Sequence, residues 1–199
     1  KVEGRVRALA SVEPSARARA WARRFRKDAR VIELVLQETK RVVRMQRGVI
    51  IAETRHGFVC ANAGVDVSNA PPDSAILLPR DPDLSARLLR RQFGSRLGAR
   101  PAVLISDSFG RPWREGLVNV ALGVAGIPAL RDYRGRRDRS GRRLEATQMA
   151  TADALAAAAE LVMGKALGIP AALIRGVTVR GRASNGRALL RPRCRDLFR

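Results

Sequence analysis

The spacing of hydrophobic positions changes along this chain, and each change predicts a different element. Over residues 12–45 the spacing is helical. In Ser15–Lys27, alanines and Trp21 fall on one face and arginines on the other, with Pro14 suited to a first turn. Asp28 then reads as the N-cap of a second helix carrying Val31, Leu34, Val35, Val42 and Val43. From Gly48 the period shortens. Gly48–Thr54 and Gly57–Gly64 read as strands of a hairpin around Arg55, His56 and Gly57, with His56 solvated at its tip. Ala75–Pro79 is another short strand. A helix follows, opened by Asp83 and closed by Gly98. Continuous apolar runs at Pro101–Ser106 and Leu117–Gly126 predict buried strands. A long Ala-rich helix is expected over residues 145–165 and a strand over Pro170–Val177. Without strict alternation of strand and helix, the class is α+β with a mixed or antiparallel sheet and flanking helices. Residues 1–177 form the expected core, and 178–199 a basic extension or the start of a linker.

Composition narrows the function classes. At 199 residues the chain can bury a sizeable core, and 46% hydrophobic content excludes wholesale disorder. Aromatics make up only 4%, so the core must be aliphatic. No apolar run approaches the length of a membrane span, and residues 1–30 are too charged for a signal peptide, so a cytoplasmic protein is expected. Cys60 and Cys194 have no metal-ligand spacing, and Cys60 reads as a buried hydrophobe. The formal net charge of +21 raises the prospect of anionic partners. Of the 39 basic residues 35 are arginines, a skew that a GC-rich coding sequence would also give; with few aromatics to stack bases and no nucleic-acid-binding motif visible, nucleic acid is disfavoured as the partner.

Against that basic background, several polar groups stand at the ends of apolar runs. Asp66 and Asn69 follow a strand in GVDVSN, where a carboxylate and an amide could hold a hard cation and a nucleotide, or simply form a turn. Asp107 and Ser108 end the run Pro101–Ser106, a common placement for oxygen ligands of Mg or Mn, and equally for a cap. Arg111 and Arg114 could offset phosphate charge. In the loop Arg131–Glu145, arginines including Arg131 and Arg134 surround Asp132, Asp138 and Glu145; it is either a solvated cluster or a mobile loop that closes on a charged substrate. Lys165 and Gly168 lie in MGKALGIP, a glycine-rich helix exit able to approach phosphate, although no P-loop pattern is present.

Taken in order, KVEGR, GFVCANAGVDVSN, LLPRDPDLSARLLR, ISDSFGRPWREG, RDYRGRRDRSGRRLEAT and AAAAELVMGKALGIPAALIRG resemble the coenzyme F420-0:L-glutamate ligase family, from Lys1 to about Val177. The resemblance implies GTP-dependent ligation of L-glutamate to the lactyl carboxylate of a deazaflavin coenzyme precursor through an acyl phosphate, and extension of a γ-linked polyglutamate tail. It implies divalent metal (Mg or Mn), with potassium as a further cofactor. It also implies a homodimer, and a reductase-like domain fused beyond the C-terminus in some members. Asp66 and Asp107 fall on first-metal positions and Ser108 on a second-metal position. Lys1, Asn69 and the segment Met163–Pro170, with Met163, Gly164, Lys165 and Gly168, fall on GTP-contacting positions. The chain also departs from the family pattern. Lys165 stands where an acid or amide metal ligand is found, Ala154 where an acid is usual, and Arg139-Ser140 replace an apolar-aromatic pair. The pattern further places GTP-contacting segments ahead of Lys1, so the chain reads as an N-terminally truncated ligase core. The competing expectation is a non-catalytic relative that binds the deazaflavin or another polyanion.

Overall fold

The computed structural model describes residues 3–197 and is α+β, as expected. Two compact units divide it. Unit 1 takes the described residues up to Arg80, together with Pro112–Glu115 and 196–197; unit 2 takes Asp81–Arg111 and Gly116–Arg195.

Unit 1 packs α1 (Ala16–Phe25) and α2 (Ala29–Glu38) against two small antiparallel sheets. Ser15 caps α1 by accepting from the Ala18 N–H at 3.2 Å, so Pro14 lies ahead of the cap and not within the first turn. Asp28 caps α2, accepting from the Arg30 N–H at 2.8 Å, as its sequence context predicts. The helical expectation to residue 45 fails at Glu38. Thr39–Gln46 is a strand, β2, paired with β3 (Val49–Thr54), which pairs in turn with β4 (Val59–Ala61). Thr39, Val42 and Val43 are β-branched, and sheet pairing here overrides a helical spacing that Val42 and Val43 only continued by coincidence. β1 (Arg5–Ala8) pairs with β5 (Ser74–Leu77). Leu34, Val35, Ile50, Ala52, Ala63, Ala75 and Leu77 fill the core, which is aliphatic as the composition requires. Cys60 is buried in β4 and Cys194 is exposed; both are free thiols.

His56 is not a solvated tip residue. It is half-buried, its Nε2 lies 2.8 Å from the Pro79 carbonyl oxygen and 3.1 Å from that of Arg80, and its ring stacks on Phe58. The hairpin turn therefore clasps the chain where it leaves β5.

In unit 2, α3 (Pro82–Leu97) covers the hairpin of β6 (Val103–Arg111) and β7 (Arg114–Ala125), and α4 (Thr151–Met163) packs beside the same strands. Asp81, not Asp83, caps α3, accepting from the Leu84 N–H at 2.8 Å; Gly98 ends it at φ 65°. Asp83 is buried and reaches across to β7. The long Ala-rich helix begins at Thr151, six residues later than expected, because Gln148–Met149 (β9) pair with Arg131–Asp132 (β8). The expected strand over residues 170–177 is absent among the described residues. Part of the basic extension is tied down: Ser184 donates its N–H to the Ile127 carbonyl at 3.1 Å and its Oγ accepts from Ala129 N–H at 2.8 Å.

Gly123 marks the tightest packing in unit 2. A Cβ there would lie 2.0 Å from the Pro82 carbonyl oxygen. Gly98, by contrast, faces open space. We expect Gly123→Ala to lower stability by about 2–4 kcal/mol because backbone must move. Gly98→Ala should cost only about 1 kcal/mol, from its left-handed φ. Urea unfolding of the two variants checks this; equal losses would contradict the packing assignment.

Candidate functional site

The strand–helix geometry of unit 2 brings three polar groups together. Along β6, Val103 and Ile105 face α3, while Leu104 faces the cluster of Ala121, Ala152 and Ala156 beneath α4. Side chains alternate in a strand, so the consecutive residues Asp107 and Ser108 present opposite faces. Ser108 falls on the α4 side. Its Oγ lies 2.8 Å from Asn119 Oδ1 on β7 and 3.0 Å from Lys165 Nζ, just past the end of α4. A hydroxyl has one proton to give, and here it goes to the amide oxygen, which can only accept. Lys165 therefore donates to Ser108. Asn119 is only 8% exposed and Ser108 half-buried, whereas Lys165 is exposed.

Local backbone explains why Lys165 arrives there. The Gly164 N–H closes α4 on the Glu160 carbonyl at 2.9 Å. Gly164 (φ 57°, ψ 176°) and Gly168 (φ 68°) both have positive φ, so the chain turns off the helix axis on either side of Lys165. Met163 is the last residue of the helix. The same helix is fixed at its other end by Asp153, whose Oδ1 accepts the Ala121 N–H at 2.9 Å. Burial pushes the Asp153 carboxyl upward, partly offset by that hydrogen bond.

Asp107 Oδ1 accepts the Ser108 N–H at 2.9 Å. Arg111 is exposed at the end of β6. Asn119 escaped the sequence reading; its signal is an amide inside the apolar run Leu117–Val124, where a buried polar side chain needs a partner.

In unit 1, Asp66 is held by backbone and side chain together. Its N–H and carbonyl exchange hydrogen bonds with Ile76 of β5 at 2.9 and 2.7 Å, and its carboxylate accepts from the Ser68 N–H and Oγ at 2.8 and 2.7 Å. Of the two readings the segment left open, the turn is present, with the Asp66 carboxylate capping the Ser68 N–H. Asn69 is exposed at φ 56° in the same turn. Lys1 lies outside the described residues.

The arginine-rich loop is an ordered hairpin arm. β8 and β9 close its base, and an Arg137–Arg143 bridge lies nearer its tip. Arg131 and Arg136 stack on Tyr133, with guanidinium carbons 4.9 and 5.5 Å from the ring centre. Asp138 shapes the tip by accepting from Ser140 and Arg142 N–H groups, and Glu145 is exposed on the returning limb. Asp132 pairs with Arg134 at 2.5 Å.

Among the described residues no group of three His, Cys, Asp or Glu side chains is placed to hold a metal. Asp66 and Asp107 nevertheless supply hard carboxylate oxygens that fit Mg or Mn. Ser108 fits a second ion poorly, because the Lys165 ammonium already lies 3.0 Å from its oxygen and would repel a second cation there.

Fold and polar cluster together define an α+β protein in which an exposed lysine donates to a half-buried serine hydroxyl. A family model described as F420-0:Gamma-glutamyl ligase matches residues 1–176, and the chain belongs to that family. Coenzyme F420:L-glutamate ligase of Methanopyrus kandleri is 49% identical over 204 residues, covering 100% of this chain and 81% of the relative. The proteins of that name from Methanothermobacter thermautotrophicus and Methanocaldococcus jannaschii are 48% and 46% identical, each across 100% of this chain and 80% of the relative.

Hydrogen bonds from the Arg134 side chain, reinforced by its backbone N–H, hold the Asp132 carboxyl at about 2. A depressed carboxyl favours the folded arm above the ordinary value of 3.8, and that contribution fades as pH falls toward about 2. NMR titration should find Asp132 at about 2, returning to the usual carboxylate range in Arg134→Gln. An unmoved titration would show that the pair does not form.

Proposed function

We propose that this chain ligates L-glutamate to the lactyl carboxylate of the deazaflavin coenzyme F420 precursor, using GTP. The observation that carries this reading is near-50% identity running through the whole chain, and not at isolated motifs. The substrate carboxylate takes the γ-phosphoryl group of GTP, giving an acyl phosphate and GDP. The glutamate amine then attacks the acyl carbon, loses a proton and expels phosphate. Repeating the step on the new γ-carboxylate lengthens the tail.

The protein's task in such a sequence is positioning and charge compensation. Asp66 and Asp107 would each offer carboxylate oxygens to Mg or Mn, whose contribution is to neutralise phosphate charge. Asn69 and the segment Met163–Pro170 contact GTP in this reading, with Lys165 donating N–H groups to phosphate oxygens. Lys1 joins them by motif position alone. Arg111, Arg131 and Arg134 bring positive charge to an anionic substrate, and the Asp132–Arg134 pair, Asp138 and Glu145 stiffen and grade that surface. Potassium as a further cation, a homodimer, a cytoplasmic setting and a reductase-like domain in longer relatives complete the proposal. Among the described residues no helix is long and apolar enough to cross a membrane.

Mass spectrometry of the deazaflavin precursor, after incubation with glutamate, GTP and manganese, should show added glutamate. Asp66→Ala and Asp107→Ala should each lower that turnover roughly a hundredfold or more, with thermal unfolding little changed. Full activity in both would remove the metal assignment. Deazaflavin binding without any glutamate increment would favour the non-catalytic reading.

A further inference from the structure

The hydroxyl of Ser108 already has a cation. Its proton is donated to Asn119 Oδ1 at 2.8 Å, and one of its two lone pairs accepts an N–H of Lys165 at 3.0 Å. A divalent ion on the same oxygen would sit within about 2.0–2.6 Å of it, next to the ammonium, and like charges that close repel strongly. The contact is also built by the fold. Asn119 is buried and fixes the Ser108 hydroxyl, and the positive-φ glycines at 164 and 168 turn Lys165 away from the axis of α4. Lys165 is exposed, so the N–H groups not used on Ser108 face a place that a solvent-borne anion can reach.

We propose that Lys165 is a built-in cation standing in for a divalent ion at Ser108, and that it hands its remaining N–H groups to a phosphate oxygen. This chain then binds no metal at Ser108, and its charge compensation there is a fixed single positive charge. The proposal deepens the ligase reading by assigning a positioning residue for the phosphate. The ion count itself is independent of any activity.

The experiment is a manganese titration followed by EPR of free Mn, on the full chain without nucleotide. Wild type and Ser108→Ala should bind equal numbers of ions. Lys165→Glu removes the ammonium and adds a carboxylate, and should gain one Mn per chain. The Ser108→Ala, Lys165→Glu double variant should lose that added ion. An unchanged count in Lys165→Glu, or a wild-type ion that Ser108→Ala removes, would overturn the substitution. The second half is read with inorganic triphosphate in metal-free buffer. Lys165→Gln should weaken its binding about tenfold, as expected for loss of one charge-assisted contact. Equal affinity would overturn the phosphate role. Because Lys165 is exposed, Lys165→Glu and Lys165→Gln should unfold at the wild-type temperature. Failure of the ligase reading would appear separately, as absence of glutamate increment in wild type.

Discussion

One buried carboxylate organises unit 2. Asp83 Oδ1 accepts the Val124 N–H at 2.9 Å and the Gly186 N–H at 2.7 Å, joining the start of α3, the end of β7 and a segment a hundred residues downstream. Leaving either donor unmet in a buried place would cost about 1–3 kcal/mol. Two glycines make the approach possible: a Cβ on Gly123 would strike the Pro82 carbonyl, and one on Gly186 would lie 2.2 Å from the Leu122 carbonyl oxygen. The first turn of α3 is also a favourable place for negative charge, since its N–H groups point toward it. The β6–β7 hairpin is thereby fixed against a helix, and the residues that the hairpin carries inherit that fixity.

Among those residues are Ser108 and Asn119. Strand alternation separates Asp107 from Ser108, so adjacent positions serve different faces. A sequence reading that treated them as one oxygen pair could not see this. The consequence is chemical. The Ser108 hydroxyl, oriented by Asn119, receives a covalently tethered ammonium. A tethered ammonium needs no ion from solution and cannot exceed one positive charge. It demands that helix α4 end in the right place, which Asp153 and the glycine-turned exit arrange from opposite ends.

What the sequence disclosed and what it concealed follow from the range of the interactions. Caps set by a neighbouring side chain, such as Asp28, and hairpins with short turns, such as Val49–Ala61, were legible because their causes lie within a few residues. Helical spacing misled at Val42 and Val43, where pairing with β3 decides. Asp81 and Asp83 offered two caps two residues apart, and only the distant Val124 and Gly186 N–H groups separate their roles. His56 looked like solvent-exposed punctuation because the carbonyls that hold it belong to residues 79 and 80. Asp66, Asp107 and Ser108 stood out through their position after apolar runs. Asn119 did not, and the Lys165–Ser108 contact spans 57 positions, beyond any local pattern.

The backbone before Asp66 shows where unit 1 concentrates unfavourable geometry. Asn62 and Ala63 both sit at φ 50°, followed by Gly64 at φ 73°. A non-glycine residue held left-handed costs on the order of 1–3 kcal/mol. Surrounding contacts maintain the turn: Asn62 Oδ1 accepts from the Ile50 N–H, the Val65 N–H returns to the Asn62 carbonyl, and Ala63 is buried in the core. Gly64 is required because a Cβ there would lie 2.7 Å from the Leu78 side chain. Straightening this turn would relieve the backbone but would shift Asp66 out of its paired hydrogen bonds with Ile76. The strain and the carboxylate's placement are therefore one feature. A core of small aliphatic residues can hold such a turn because its packing, unlike a flexible loop, resists displacement of even a methyl group.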